Sequence, residues 1–266
     1  MWFVETEASK IGRITTSGIF TEFALPATNN PQDITVGPDG ALWFTEAHSG
    51  GGAIGRITTS GALTEHILAP TNVPLGIATG SDGNIWFTVV GKAYLVRMTP
   101  QGVTKKFTLP LPAGTTQYIT SGPDGALWFT VRSPDKIGRM DPLTGSVTEY
   151  PLADNTRPYH ITTGADGKLW FTADTELGSI TVDGQLAGYP VPESSYPAGI
   201  TAGPDGRLWF ALNALRALGR MDPQRPGHVV TFPIPGEANP YGIASGPDGR
   251  IWFTANFANM IGVFGP

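Results

Sequence analysis

Short runs of strand-forming residues recur along this chain at a fixed interval, each opened by a polar turn. Gly37-Pro38-Asp39-Gly40 leads into Ala41-Leu42-Trp43-Phe44-Thr45, and the same order returns around Trp128, Trp209 and Trp252. Looser copies surround Trp86 and Trp170, and Trp2-Phe3 is the tail of one more. The tryptophans at 2, 43, 86, 128, 170, 209 and 252 step by 41, 43, 42, 42, 39 and 43 residues. A period of this length marks a repeat architecture. The runs are rich in Ile, Val, Thr, Phe and Trp, none reaches helical length, and we expect no helix.

One full repeat reads as four strands, A to D. In the second copy, A is Asp33 to Val36, B is Ala41 to Glu46, C is Ala53 to Ile57 and D is Leu63 to Ile67. Pro-x-Asp-Gly suits the A–B turn, because Pro presets its second position and Gly tolerates positive φ. In strand B, Leu42 and Phe44 point to one face and Trp43 to the other. A sheet apolar on both faces needs neighbours on both faces. Four-stranded sheets stacked around an axis meet that need. The expected fold is therefore all-β, a seven-bladed β-propeller of four-stranded antiparallel blades, forming one domain over residues 1–266. Strands B and C occur seven times and strands A and D six times, so the first blade lacks A and the last lacks D. A six-bladed wheel closed by residues 21–23 is the alternative, but it leaves Trp2 and Ile11 without a role.

Composition narrows the partners. Hydrophobic residues make up 40%, enough for a packed interior, and 35 Gly with 24 Pro fit a chain of many tight turns. The net charge of −5 and the absence of any Lys/Arg block argue against nucleic acid and anionic membranes. No apolar run approaches the length of a membrane span. With no Cys, disulfides, thiol catalysis and Cys-held zinc are all excluded. We expect a monomer. No signal peptide precedes Trp2, and a start inside a repeat leads us to expect a longer reading frame.

Candidate chemistry lies in the irregular segments. The D–A and B–C connections are the longer ones and share one side of each blade. Loops on such a rigid scaffold carry variety. The residues leading into strand A vary from copy to copy. Their polar members are Gln32, Asp33, Gln117, Tyr118, Arg157, Tyr159, His160, Asn239 and Tyr241. These are the candidate ligand-binding residues for a small molecule or peptide held over the central channel, unless they only hydrogen-bond neighbouring strand ends. His160, beside Arg157 and Tyr159, is the candidate acid or base, since imidazole titrates near neutral pH; Tyr241 is the second catalytic candidate. The B–C segments add Glu5, Glu7, Glu46, His48, Arg132, Asp135, Asp174, Glu176 and Asn256. Glu5 and Glu46 each sit three residues after a Trp, and a carboxylate pair from adjacent blades is a candidate metal site, unless it is a solvated rim. His66 replaces an outer-strand aromatic and reads as structural.

The repeat itself carries a resemblance. Trp43-Phe44-Thr45-Glu46, Ile54-Gly55-Arg56-Ile57-Thr58 and Thr21-Glu22-Phe23-Ala24-Leu25-Pro26 resemble the streptogramin B lyases, the virginiamycin B lyase family, over essentially the whole chain. The resemblance implies a seven-bladed propeller, a cytoplasmic location and a Mg²⁺-dependent elimination that opens a cyclic depsipeptide at its ester without water. In such a reaction a base removes the proton α to the ester carbonyl, the metal stabilises the enolate and an acid helps the carboxylate leave. The family places His directly after Pro ahead of two adjacent A strands, once as Glu-Pro-His-Gly, and a further Glu after the last Trp-Phe. Here those positions read Tyr196-Pro197-Ala198-Gly199, Asn239-Pro240-Tyr241-Gly242 and Thr254-Ala255-Asn256. His160 follows Pro158 one residue late, which in an extended strand reverses the side chain unless a bulge intervenes. The expectation is a lyase scaffold with weak or no lyase turnover. The alternatives are an active lyase and a scaffold for protein contacts.

Overall fold

The computed structural model describes residues 1–26, 29–48, 50–110, 115–256 and 258–265. The fold is a seven-bladed β-propeller. Blades two to six have four antiparallel strands, and the first and last have three. The first blade holds strands B to D (Trp2–Glu5, Lys10–Ile14, Phe20–Ala24), and the last holds A to C (Asn239–Ser245, Ile251–Asn256, Met260–Phe264). Among the described residues the only helical turn is a 3₁₀ turn at Asn213–Leu215. Contacts divide the chain into two compact units. One is Met1–Ser121 with Gly125–Ser133 and Gly138–Glu149; the other is Gly122–Asp124 with Pro134–Ile137 and Tyr150–Pro266.

The recurring motif builds the blades through three local devices, most blades carrying two or all of them. The first is the turn aspartate, which anchors the indole four residues on. Trp43 Nε1 donates to Asp39 Oδ1 at 3.0 Å, and the same bond joins Trp86 to Asp82, Trp170 to Asp166, Trp209 to Asp205 and Trp252 to Asp248. Burying an indole would otherwise strand its N–H. The second is the Gly of Ile-Gly-Arg. A Cβ on Gly55 would stand 2.2 Å from the Phe44 ring, and at Gly219 it would meet Phe210 equally closely. In these blades the phenylalanine ring occupies the space that a side chain on the opposing strand would take. The third is the Arg of the same triplet, whose guanidinium covers the indole. Arg56 lies 5.9 Å from the Trp43 ring and Arg220 5.3 Å from Trp209, a cation–π contact that also shields the ring edge.

These devices close the core of each unit. In the first unit Trp43, Ile54, Phe87 and Val89 form one buried cluster, and Trp86, Leu95, Leu127 and Phe129 another. In the second, Trp170 packs with Phe210 and Leu212, and Trp209 with Leu218 and Phe253. His66 stacks on Trp43 at 5.8 Å with an interplanar angle of 3°, in the place other blades give to an outer-strand aromatic such as Phe232 on Trp209.

Strand A begins with a bulge in blades two, three, four, six and seven. The register shifts between Pro31 and Ile34, Pro74 and Ile77, Thr116 and Ile119, Pro197 and Ile200, and Pro240 and Ile243. The Thr of Trp-Phe-Thr pins the second bulged residue: Thr45 Oγ1 accepts from Asp33 N, Thr88 from Gly76, Thr130 from Tyr118, Thr172 from His160 and Thr254 from Gly242. A bulge re-aims side chains at a strand end, and here it presents two variable residues per blade.

Candidate functional site

Each bulge offers a first and a second position, and in blade five Tyr159 and His160 take the same places ahead of the strand, with Tyr159 N donating to Thr172 O and Thr172 N to His160 O. The first positions are Gln32, Leu75, Gln117, Tyr159, Ala198 and Tyr241, and the second Asp33, Gly76, Tyr118, His160, Gly199 and Gly242. The second faces the next blade. A Cβ on Gly199 would lie 2.6 Å from the Tyr241 carbonyl, and one on Gly76 would lie 2.7 Å from the Cα of Tyr118. Asp33 uses that direction: its Oδ2 accepts from Ile77 N in the next blade at 3.0 Å, and its Oδ1 from Ile34 N at 2.9 Å. Burial pushes the Asp33 carboxyl up to about 6, against the pull of those two amides. Gln32 donates to Asn30 O, and Gln117 makes a long contact with Thr116 O. Tyr118 is buried, 6% exposed. In the first unit, then, the candidate binding residues mainly tie strand ends together.

The second unit gathers its candidates. Tyr159 and Tyr241 hydrogen-bond through their hydroxyls, from first bulge positions 82 residues apart in sequence. Between their strands runs the Pro197–Ala202 strand of blade six, whose own first position is the small, buried Ala198. Two phenols thus meet over the blade that carries Ala198. His160 completes the group, with its ring 5.1 Å from Tyr159 and 6.4 Å from Tyr241, edge-on to both. Its Nε2 has no solvent contact, and burial lowers its pKa to about 3. At neutral pH this imidazole is uncharged and weakly basic.

The remaining members of the second unit are scaffold. Asn239 Nδ2 donates to Asn213 O at 3.1 Å and Asn213 Nδ2 to Pro240 O at 3.0 Å, a reciprocal clasp between blades six and seven. Arg157, at a φ of 51°, is exposed and pairs with Asp174 at 3.3 Å.

Glu5 and Glu46 do not address each other; each crosses its own blade. Glu46 Oε1 lies 2.5 Å from where a Gly55 Cβ would stand, and Glu5 Oε1 2.6 Å from the same point at Gly12. Glu46 is fully buried. Asn29 Nδ2 donates to Glu46 Oε2 at 2.6 Å and to Glu65 Oε1 at 3.2 Å, bridging the two carboxyls. Burial, then the neighbouring Glu65 charge, holds the Glu46 carboxyl well above the usual carboxylate range. In blade one the equivalent pair contains a cation instead: Lys10 Nζ lies 2.5 Å from Glu22, and Glu5 is raised mainly by burial.

Magnesium, which the family resemblance implies, needs anionic oxygens and room for its waters. The Tyr159–His160–Tyr241 group supplies phenols and a neutral imidazole, and Asn239, two residues before Tyr241, donates its amide to Asn213 O. Glu46 is sealed from solvent, and burial with the neighbouring Glu65 holds its carboxyl above the usual carboxylate range. Among the described residues no three His, Asp or Glu side chains assemble to hold an ion. The residues present do not fit magnesium, and no chemical step is derived through it.

Sequence reasoning gave Tyr241, Tyr159 and His160 from their variability within the repeat. It noted Ala198 only as a departure from the family and not as the small residue between the tyrosines, and it missed Asn29 and Glu65. The constant spacing of turn Asp and Trp was a legible signal for the indole bonds. No helix of the described residues is long and apolar enough to cross a membrane.

No curated protein sequence matches the chain. The profile of the virginiamycin B lyase family matches residues 1–73 and 66–266. A solved streptogramin B lyase structure shares 33% identity and a TM-score of 0.91, with 98% of this chain and 88% of that one covered. Virginiamycin B lyase from Staphylococcus aureus shares 33% identity at a TM-score of 0.91, covering 100% of this chain and 90% of its own. A catalytically inactive His-to-Ala form of the Staphylococcus aureus enzyme, solved with quinupristin, shares 33% identity at a TM-score of 0.92 with the same coverage. By motif, blade construction and coverage, this chain belongs to the virginiamycin B lyase family.

Proposed function

We propose that this chain is a lyase-like propeller that binds a small molecule or peptide at the Tyr159–His160–Tyr241 group and does not turn over streptogramins. The observation that carries the reading is the hydroxyl bond between Tyr159 and Tyr241 across the Ala198 blade. Elimination needs a base that accepts a carbon-bound proton near neutral pH. Ala198 has no proton acceptor, Tyr241 is engaged with Tyr159, and His160 holds its proton only near pH 3. Proton-transfer efficiency falls as the base pKa drops below the working pH, and losing a general base typically costs a factor of about 10² to 10⁴.

What the group retains is recognition chemistry. Phenol hydroxyls in a chain of hydrogen bonds polarise one another. Three aromatic rings set edge-on offer apolar faces beside those polar tips, the composition of a small-molecule site. A carbonyl-bearing, partly apolar ligand fits it. Since a family member was solved with quinupristin, that compound is the natural first probe.

Titration calorimetry with quinupristin should give a saturable heat, and Tyr241→Phe should weaken binding by roughly tenfold, the worth of one hydrogen bond. Tyr159→Phe should act alike. No binding, or binding indifferent to both changes, would remove this site.

A further inference from the structure

Outside that group, blade five differs from blades one and three at one diagonal pair of positions on strands C and D. The first residue of strand C and the middle residue of strand D hold Lys10 and Glu22 in blade one. Their 2.5 Å ion pair is the pattern in its complete form. In blade three the same positions hold Tyr94 and Lys106, with the ammonium 4.8 Å from the ring. In blade five they hold Glu176 and Gly188. The carboxylate stands where the lysine stood, and the side chain diagonal to it is gone.

The space left behind is visible. A hollow of ≈ 210 Å³ opens on this blade, lined by Leu152, Ala153, Thr156, Phe171, Glu176 and Gly188 among others. The Glu176 carboxylate swings into the vacated position: a Cβ on Gly188 would lie 2.4 Å from its Oε2. Glu176 is therefore the only charged group on a wall that is otherwise apolar or neutral. Burial raises its pKa, and none of the residues lining the hollow is a cation. The guanidinium of Arg157, next in sequence to the lining Thr156, pairs with Asp174 at 3.3 Å. A carboxylate partly desolvated without a counter-charge is an unfinished ion pair.

We propose that this hollow is a binding site for a primary alkylammonium group, from a free amine or a lysine side chain. The ammonium would take the place that Lys10 Nζ holds against Glu22 in blade one, here against Glu176. The alkyl stem would lie on Leu152 and Phe171. An ammonium presents three donors to a carboxylate that has lone pairs to spare. The site stands apart from the tyrosine group and does not depend on its reading.

The test is NMR titration of ¹⁵N-labelled protein, following the Gly178 and Gly188 amides. One arm uses n-butylammonium and a second uses lysine blocked at both termini; n-butanol is the neutral control. Saturable shifts with either amine and none with n-butanol are expected. Binding by the small amine alone assigns the site to free amines, and binding by both admits lysine side chains. Glu176→Gln, which keeps the shape, should weaken binding at least about tenfold, as loss of a charge-assisted bond does. Gly188→Lys should supply the ammonium internally and abolish the response. Absence of saturable shifts with both amines, or equal shifts with n-butanol or in Glu176→Gln, overturns the proposal.

Discussion

Replacing Glu46 by Gln should stabilise the protein at alkaline pH and leave it nearly unchanged in mild acid. Glu46 is fully buried, shares Asn29 with Glu65, and lies over Gly55 with its Oε1 making no hydrogen bond. Two carboxylates so placed cannot both ionise, so the native pair keeps a proton that the unfolded chain releases above the ordinary value of 4.5. A group whose native pKa is raised contributes stability that is present below its unfolded pKa and lost as pH rises through the native one. Where native and unfolded states differ by one bound proton, the slope is about 1.4 kcal/mol per pH unit. Over two pH units above 4.5 the loss approaches about 3 kcal/mol, reduced by whatever relaxation and water entry the blade allows. Gln keeps the shape of Glu46, and its amide can donate to an ionised Glu65, so the proton is no longer needed. Urea unfolding of both proteins at half-unit steps from pH 4.5 to 8.5 reads the difference directly. Groups common to both cancel, so the variant should gain roughly 1–3 kcal/mol on wild type by pH 8. A constant difference across that range, or a variant that loses ground as pH rises, would refute the shared proton.

Other outcomes follow from the same structure. His160, buried neutral with a pKa near 3 against 6.5 unperturbed, should make stability fall as pH drops below 6.5, at up to about 1.4 kcal/mol per unit. His160→Gln should flatten that limb in acid denaturation curves. Trp128→Ala should cost about 3–5 kcal/mol in chemical unfolding, because the side chain is wholly buried. Gly219→Ala should cost about 1–3 kcal/mol, since its Cβ would meet Phe210 at 2.2 Å; Phe210→Leu in the same background should recover part of the loss. Asp205→Ala should cost about 1 kcal/mol or more by leaving the Trp209 N–H without its acceptor.

How much was legible depended on whether a feature was local. The period of the tryptophans gave blade number and the two three-stranded blades, because each blade is built by contacts within its own forty residues or so. Trp43, Gly55 and Arg56 could be assigned to packing for the same reason. Asp39 and its equivalents looked like turn residues alone, yet they also hold the indoles; the fixed four-residue spacing carried that information. Glu46 was read as a partner for Glu5 of the neighbouring blade. It turns inward across its own sheet to Glu65, through the gap that Gly55 leaves, and the alternation of an outer strand gives no hint of such a reach. Tyr159 and Tyr241 could be suspected singly from their place at the bulge. Their pairing needs blades five and seven brought together around a small Ala198, which no local pattern specifies. His160, one residue later than the family position, still lies with its ring 5.1 Å from Tyr159 and 6.4 Å from Tyr241, because Tyr159 and His160 both oppose Thr172 at the strand entry.

The central claim is that this lyase scaffold binds without eliminating. Its most direct test is incubation of the purified protein with a type B streptogramin and Mg²⁺, followed by chromatography with mass spectrometry. Elimination yields a linear product of unchanged mass and altered retention. The account predicts that the cyclic compound persists, bound but intact. Efficient formation of the linear product, lost on Tyr241→Phe or His160→Gln, would contradict it.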